Sequence, residues 1–490
     1  MKRLHIFICS FLFAGPLGAQ QMLTLEQIMA IAAQNSPDLR TSELSLTRSQ
    51  ELLNAQRAAQ KSQFSLTLNP FTYRQSRSFD DYYSEWYTNK SYSSFGTFTV
   101  SQPLLFSDGT LSLSNRFGWQ ENDTETSKGI GIDKSFVNNL NLSYTQPLFT
   151  YNRQKQRLQQ LELDMENTQL SYAMQRLNLE RQVTQYFYNV YMAQMNLSIS
   201  EEELKNTEKS YEITKSKVEA DLVAKEDLYQ AELNYANSRS TVQNRKVSLE
   251  DAKDNLKQYI GMDLSEEIGV ITSIEANPVD VDVEKAVEHG LLSRMELRQR
   301  QIAIENAQFT LIQTKAENEF RGDVTLSVGL TGQNEQLNKI FKDQTSSPSI
   351  GLTFNVPLFD WGEKKSRIKA QEATIQQQDL SLDVQRIDIE LGIRQIYRNL
   401  QNLINQIEIA RQSEQNAQLT YEINLERYAN GDLTSMDLNL YQTQLSERKI
   451  AYAQALINYK IELLNLKIQS LYDFENKTGV VPEEILKKTN

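Results

Sequence analysis

Glu212 and Glu422 stand 210 positions apart, and each lies nine residues before a turn-like stretch, at Asp221 in one case and Gly431 in the other. Carboxylates at equivalent places in a repeated unit can ring an aqueous path and favour cations, provided that long elements aim them inward. On a solvated helix face the same residues do nothing. Other chemistry is scarce. The chain has 2 histidines and 1 cysteine, and His5 and Cys9 both fall in the first 20 residues. His289 alone remains, which leaves no histidine triad, multi-histidine metal site or thiol chemistry. Neither a Gly-rich phosphate loop nor an HExxH motif is present. We therefore expect no enzyme, no cofactor and no metal. A net charge of −12 argues against nucleic acid as a partner.

The first 20 residues, MKRLHIFICSFLFAGPLGAQ, combine Lys2 and Arg3, an apolar stretch and small residues at Gly18-Ala19. This pattern predicts a secretory signal peptide over 1–19. Beyond it no run approaches the roughly 18 apolar residues of a membrane-spanning helix. Any membrane crossing must be made by strands, whose hydropathy signal is weak because alternate residues face away from lipid.

The elements that would position the two glutamates are themselves duplicated. Tyr211-Glu212-Ile213 matches Tyr421-Glu422-Ile423, Asp227-Leu228 matches Asp437-Leu438, and Leu256-Lys257 matches Leu466-Lys467, all at an offset of 210. The N-terminal parts align at an offset of 258, as in Leu39-Arg40 with Leu297-Arg298. We read a first repeat over 20–270, a second over 271–475 and a polar tail over 476–490. The first repeat holds a helix, strands with an extra hairpin at about 74–135, a long helix over 150–218 and a helix over 225–260. The second holds a helix, strands over 323–332 and 349–357, a long helix over 361–428 and a helix over 436–471. Thr24-Leu25-Glu26-Gln27 and Ser293-Arg294-Met295-Glu296 have the form of capping boxes, which predicts helix starts there.

Period-two alternation marks the strands: Phe64, Leu66 and Leu68 with polar residues between, then Leu140-Leu142-Tyr144, Val324–Leu330 and Ile350–Val356. Two strands end in the same phrase, at Pro147-Leu-Phe and Pro357-Leu-Phe. Proline has no N–H for a ladder, so Pro147 and Pro357 mark strand-to-helix junctions, with Thr150 and Asp360 as N-caps. Ile393, Ile396, Leu400, Leu403, Ile407 and Ala410 follow at 3–4 spacing, a coiled-coil seam. At the far end Gly431 supplies a left-handed turn residue, and Asp221 stands in its place in the first half.

Four to six strands per chain cannot close a barrel, since single-chain barrels need at least eight. An open sheet cannot sit in lipid, because its edges carry unpaired N–H and C=O groups. If these strands lie in a membrane, several chains must therefore build one barrel. With the duplication, the strand-Pro-Leu-Phe-helix junctions, the long helices and the Arg427-Tyr428-x-x-Gly431-x-x-Thr434 turn, the chain resembles the TolC-like outer-membrane efflux proteins.

That resemblance implies a mainly α protein with β strands, a homotrimer in outer-membrane lipid of a Gram-negative bacterium, and a shared β-barrel continued by a periplasmic tunnel of antiparallel coiled-coil helices. It further implies an exit duct fed by an inner-membrane transporter through a periplasmic adaptor (membrane fusion) protein. Tyr428, Gly431, Thr434 and Asp221 are the candidate adaptor contacts at the tips, and Glu212 and Glu422 the candidate pore carboxylates. The aromatic-rich insert from Tyr73 to Trp119 carries a third copy of the phrase, Val100-Ser-Gln-Pro103-Leu-Leu-Phe106. It reads as a strand, a turn and a strand. Three chains would then make an 18-strand barrel, or a 12-strand barrel with the hairpin folded outside; the resemblance favours the second. The competing reading is a periplasmic or secreted coiled-coil scaffold without a pore.

Overall fold

The computed structural model describes residues 21–480, apart from 83, 127–128, 272–276 and 343. The expected signal peptide and most of the polar tail lie outside the described residues. The helices are α1 (Leu25–Asn35), α2 (Pro37–Ala59), α3 (Arg153–Glu219), α4 (Lys225–Ile260), α5 (Val283–Ser293), α6 (Met295–Ala316), α7 (Glu363–Asn430) and α8 (Ser435–Ser470). The strands are β1 (Gln21–Leu23), β2 (Gln63–Asp80), β3 (Glu85–Leu104), β4 (Gly109–Thr126), β5 (Gly129–Leu148), β6 (Ile268–Val270), β7 (Arg321–Asn334), β8 (Thr345–Asn355), β9 (Tyr472–Asp473) and β10 (Thr478–Gly479).

The duplication is visible in these bounds. Shifting α4 by 210 gives α8, and shifting α1 by 258 gives α5, residue for residue. At about 1.5 Å per residue, α3 and α7 are each rods of roughly 100 Å. Among the described residues no helix is long and apolar enough to cross a membrane.

The chain divides into two compact units. One comprises residues up to 45, 169–298 and 383 onward. Its core packs Leu23 and Ile28 against Val183 and Phe187 of α3, Leu256 and Ile260 of α4, Ile268 of β6 and Ile457 of α8. β1 pairs in parallel with β6 and so ties the start of the first repeat to its end. Thr24 caps α1 through a complete capping box with Gln27. At the second expected box a helix does start, α6 at Met295, but Ser293 is the last residue of α5, whose N-cap Asp282 stands at the position equivalent to Thr24. The seam residues Ile393 and Leu400 are buried, as their spacing requires.

The other unit comprises 46–168 and 299–382 and holds one antiparallel sheet in the order β2-β3-β4-β5-β7-β8. Within the sheet of one chain the inserted hairpin is not folded outside, which differs from the expectation. β3 and β4 sit between β2 and β5, with an unbroken ladder from Thr88↔Glu125 to Leu104↔Gly109. The physical reason lies at the lower turn, where the buried carboxylate of Asp108 stands in for a helix cap. It accepts from the backbone N–H of Gln154 at 3.1 Å and from Arg153 Nε at 3.0 Å, at the first turn of α3. Gln146 donates to the Ser107 carbonyl at 2.6 Å, and Asn152 to that of Leu105 at 2.5 Å. Four bonds thus fix the hairpin to the junction it precedes in space.

Candidate membrane sheet and helical tips

Residues facing each other across an antiparallel ladder project to the same side, so the register assigns every strand residue to a face. On one face Leu66 opposes Phe98, Val100 opposes Leu113, and Leu111 opposes Tyr144. The row continues through Leu142 and Val328 and ends with Leu326 against Ile350. Leu66, Leu113, Leu142, Val328 and Ile350 are all exposed. The opposite face presents Thr67, Thr99, Ser112, Ser143, Thr325 and Gly351 at the same levels. Large apolar side chains on one face and short polar ones on the other suit a wall between lipid and water.

In β4 the apolar row runs from Leu111 to Trp119. Nine residues, roughly 30 Å of strand, tilt to about the height of a barrel's apolar band. A bulge between Asn69 and Thr72 in β2 resets the alternation. It puts Tyr73 beside Tyr92, with ring centroids 5.1 Å apart, and Phe79 beside Trp86 at 5.3 Å, above the apolar row. At the other end the Pro-Leu-Phe phrases leave Phe106, Phe149 and Phe359 exposed, with Trp361 packed edge-on to Phe359 at 4.7 Å. Aromatic residues at both borders of an apolar band are interfacial anchors.

Pro147 lies one rung inside β5, opposite Asp323, while the pairing of β5 with β4 has already ended at Thr145. Pro357 lies two residues past β8. In the first half Asn152, rather than Thr150, accepts from the Lys155 N–H at the start of α3. Asp360 accepts from the N–H groups of Gly362 and Lys364. Those bonds hold its carboxyl below the usual carboxylate range.

The tips of both helical hairpins belong to the first unit and are built alike. Asp221 (φ +56°) and Gly431 (φ +91°) both occupy the left-handed region. In each tip the next N–H reaches back to close the turn, Leu222 to the Lys217 carbonyl at 2.8 Å and Asp432 to that of Arg427 at 2.9 Å. The helix that follows is capped in one tip only. Thr434 Oγ1 accepts from the Asp437 N–H, while Ala224 at the equivalent position has no side-chain cap.

Tyr428 does not face outward. It is 3% exposed and packs with Tyr421, Leu438 and Leu445. Its hydroxyl lies 2.6 Å from Thr214 Oγ1 and donates to the Ser210 carbonyl at 3.2 Å. Lys217 Nζ donates to the Tyr428 carbonyl at 2.9 Å. Tyr428 therefore ties the end of α7 to the end of α3. Burial, with a smaller contribution from the negative charge of Glu202, pushes the neighbouring Tyr421 hydroxyl up to about 12.

Gly431, Thr434 and Asp221 are exposed at the turns, and so are Glu212 and Glu422, where Gln418 donates to Glu422 at 2.6 Å. Sequence reasoning missed Leu222 and Met436, which are 73% and 66% exposed at the two tips. It also missed an exposed α7 stripe of Leu380, Val384, Ile387 and Leu391. Their 4-3-4 spacing was the available signal; it marks a second coiled-coil face left exposed among the described residues.

A sheet with one apolar and one polar face, whose strands run on in the chain into long helices, is the design of an outer-membrane channel protein. The sequence matches the family model described as outer membrane efflux protein over residues 110–262 and 320–468, which is more than half of the chain, so the protein belongs to that family. Its place is the outer membrane of a Gram-negative bacterium, with a large periplasmic portion. No curated protein matches the chain. Among solved structures the fold is similar to that of the CmeC outer membrane channel of Campylobacter jejuni, with a TM-score of 0.70 and 14% identity over 100% of this chain and 97% of that one. It is also similar to the outer membrane protein VceC of Vibrio cholerae (0.65, 16%, 93% and 96%) and to the open-state MtrE outer membrane channel of Neisseria gonorrhoeae (0.65, 14%, 92% and 89%).

Replacing Tyr428 with Phe removes the hydroxyl from a buried network, at a cost of about 1 kcal/mol. Amide exchange at residues 210–217 and 424–433 should accelerate severalfold while exchange in the 183–187 core stays unchanged. Unaltered exchange at the tips would show that the hydroxyl ties nothing together.

Proposed function

We propose that the protein is the passive exit duct of a tripartite efflux or secretion system. It forms a homotrimer that conducts substrates delivered by an inner-membrane transporter and a periplasmic adaptor to the outside. One observation carries this reading: a sheet with an apolar face, a polar face and two open edges of opposite strand direction. In lipid each unpaired edge group costs several kcal/mol, so the sheet is stable there only when copies join edge to edge. Closure turns the polar faces inward and makes a water-filled lumen. The exposed stripe on α7 fits the same assembly, in which the helices of neighbouring copies complete one another. A coiled-coil scaffold in water would have no use for a complete apolar sheet face, and we set that reading aside.

In this reading the tips meet the adaptor. Gly431, Thr434 and Asp221 supply the turn surface, with Leu222 and Met436 as its apolar contacts, and Tyr428 serves as internal support. Glu212 and Glu422, one pair per chain, place six carboxylates near the periplasmic mouth and favour cations there.

A cysteine introduced at Thr434 should crosslink to the hairpin of the adaptor in cells and should fail to do so when Gly431 is replaced by a bulky residue. Loss of crosslinking from every exposed tip position would remove the adaptor from this account. In planar bilayers the Glu212→Gln/Glu422→Gln double variant should lose a severalfold preference for cations. Unchanged selectivity would return both glutamates to the solvated helix surface.

A further inference from the structure

We infer that three copies close an eighteen-stranded pore whose bore is lined by short, uncharged side chains and passes hydrated solutes bulkier than drug-sized molecules. The inference rests on the duct reading and adds to it the width and chemistry of the exit.

The inserted strands are part of the wall. β3 and β4 each pair along their length with neighbours on both sides. They also carry the apolar row themselves, through Phe98 and Val100 in β3 and Leu111, Leu113 and Phe117 in β4. Folded outside a barrel, these five side chains would stand in water. The turn between the two strands is bound to the first turn of α3 by Asp108, so the hairpin ends at the same level as the other strands. Both sheet edges, β2 and β8, are exposed along their length. β2 leads away from a helix and β8 returns towards one, so β8 of one copy meets β2 of the next in antiparallel fashion. Six strands from each of three copies then close without a remaining edge.

Width follows from strand number. Strands about 4.8 Å apart and tilted about 40° give roughly 36 Å between opposite backbones for eighteen strands, against roughly 24 Å for twelve. The cross-section is thus about twice as large. Inside it, short side chains such as Thr67, Thr99, Ser112, Ser143, Thr325 and Gly351 take little of that space. Among the described residues Arg116 is the charged side chain on this face within the apolar band, and its guanidinium carbon lies over the Phe95 ring, 3.7 Å from its centroid. A wide bore with hydroxyl and amide walls neither sieves small solutes nor selects by charge. It suits a cargo that is bulky and hydrated, such as a folded peptide.

The test uses the full-length protein extracted from outer membranes. Cryo-electron microscopy of the particle in lipid nanodiscs should count eighteen strands around one trimer. In planar bilayers uncharged polyethylene glycols applied from the outer side probe the barrel without passing the tips. Polymers of about 25 Å diameter should enter and lower the conductance, and deleting residues 81–126 should reduce that limit to about 15 Å. A trimer with twelve strands and hairpins outside, or a limit unmoved by the deletion, overturns this inference and leaves the duct intact. Absence of any trimeric channel overturns the duct reading and this inference together.

Discussion

Every feature of this chain answers to one constraint: in hydrocarbon, a backbone N–H or C=O has no partner except another backbone group. A helix meets that need within itself, but among the described residues no helix is long and apolar enough to cross a membrane. The strands must meet it laterally. Within one chain the six-stranded sheet satisfies all ladders but the two outermost, and it offers lipid a continuous apolar face. In the proposed assembly the unpaired edges drive copies together, so association there is a requirement of hydrogen bonding, and the exposed stripe on α7 offers a second contact.

The same constraint explains the abrupt junctions. A loop at the membrane border would carry unsatisfied groups, so the chain passes from ladder to helix within a few residues. Asn152 and Asp360 satisfy the first helical N–H groups, and Asp108 adds a cap from a strand turn remote in sequence. Phe149, Phe359 and Trp361 are exposed beside those junctions, where aromatic rings suit a membrane interface. The insert obeys these rules as well. By adding two strands it returns the chain to the side from which it left, so the helices below need not change, while its turn takes over part of the capping of α3.

Much of this was legible because the signals are local or periodic. The offset of 210 fixed the equivalence of α4 with α8 before any fold was in view. Alternation at Phe64–Leu68 and Val324–Leu330 revealed two-faced strands, and Gly431 revealed a turn. What stayed hidden depends on partners distant in sequence. The face of Tyr73 follows from a bulge at Pro70-Phe71 that alternation alone does not show. Tyr428 belongs to a turn motif that points to the surface, yet it packs inward because Ser210 and Thr214, over 200 residues away, supply its partners. Ser293 satisfied the letters of a capping box while lying at the end of the preceding helix. The place of the hairpin in the sheet is hidden as well, because nothing local records that Asp108 binds α3.

The central claim is that one face of this sheet touches lipid and the other water, and single-cysteine labelling measures it directly. With the chain's one cysteine, Cys9, inside the expected signal peptide, fluorophores can be placed in turn at Leu326, Ser327, Ile350 and Gly351 of the membrane-reconstituted protein. Nitroxide-bearing lipids should quench the labels at 326 and 350 strongly, and aqueous iodide should quench those at 327 and 351. Equal access of iodide to all four positions would mean that the sheet stands in water, and the account would fail.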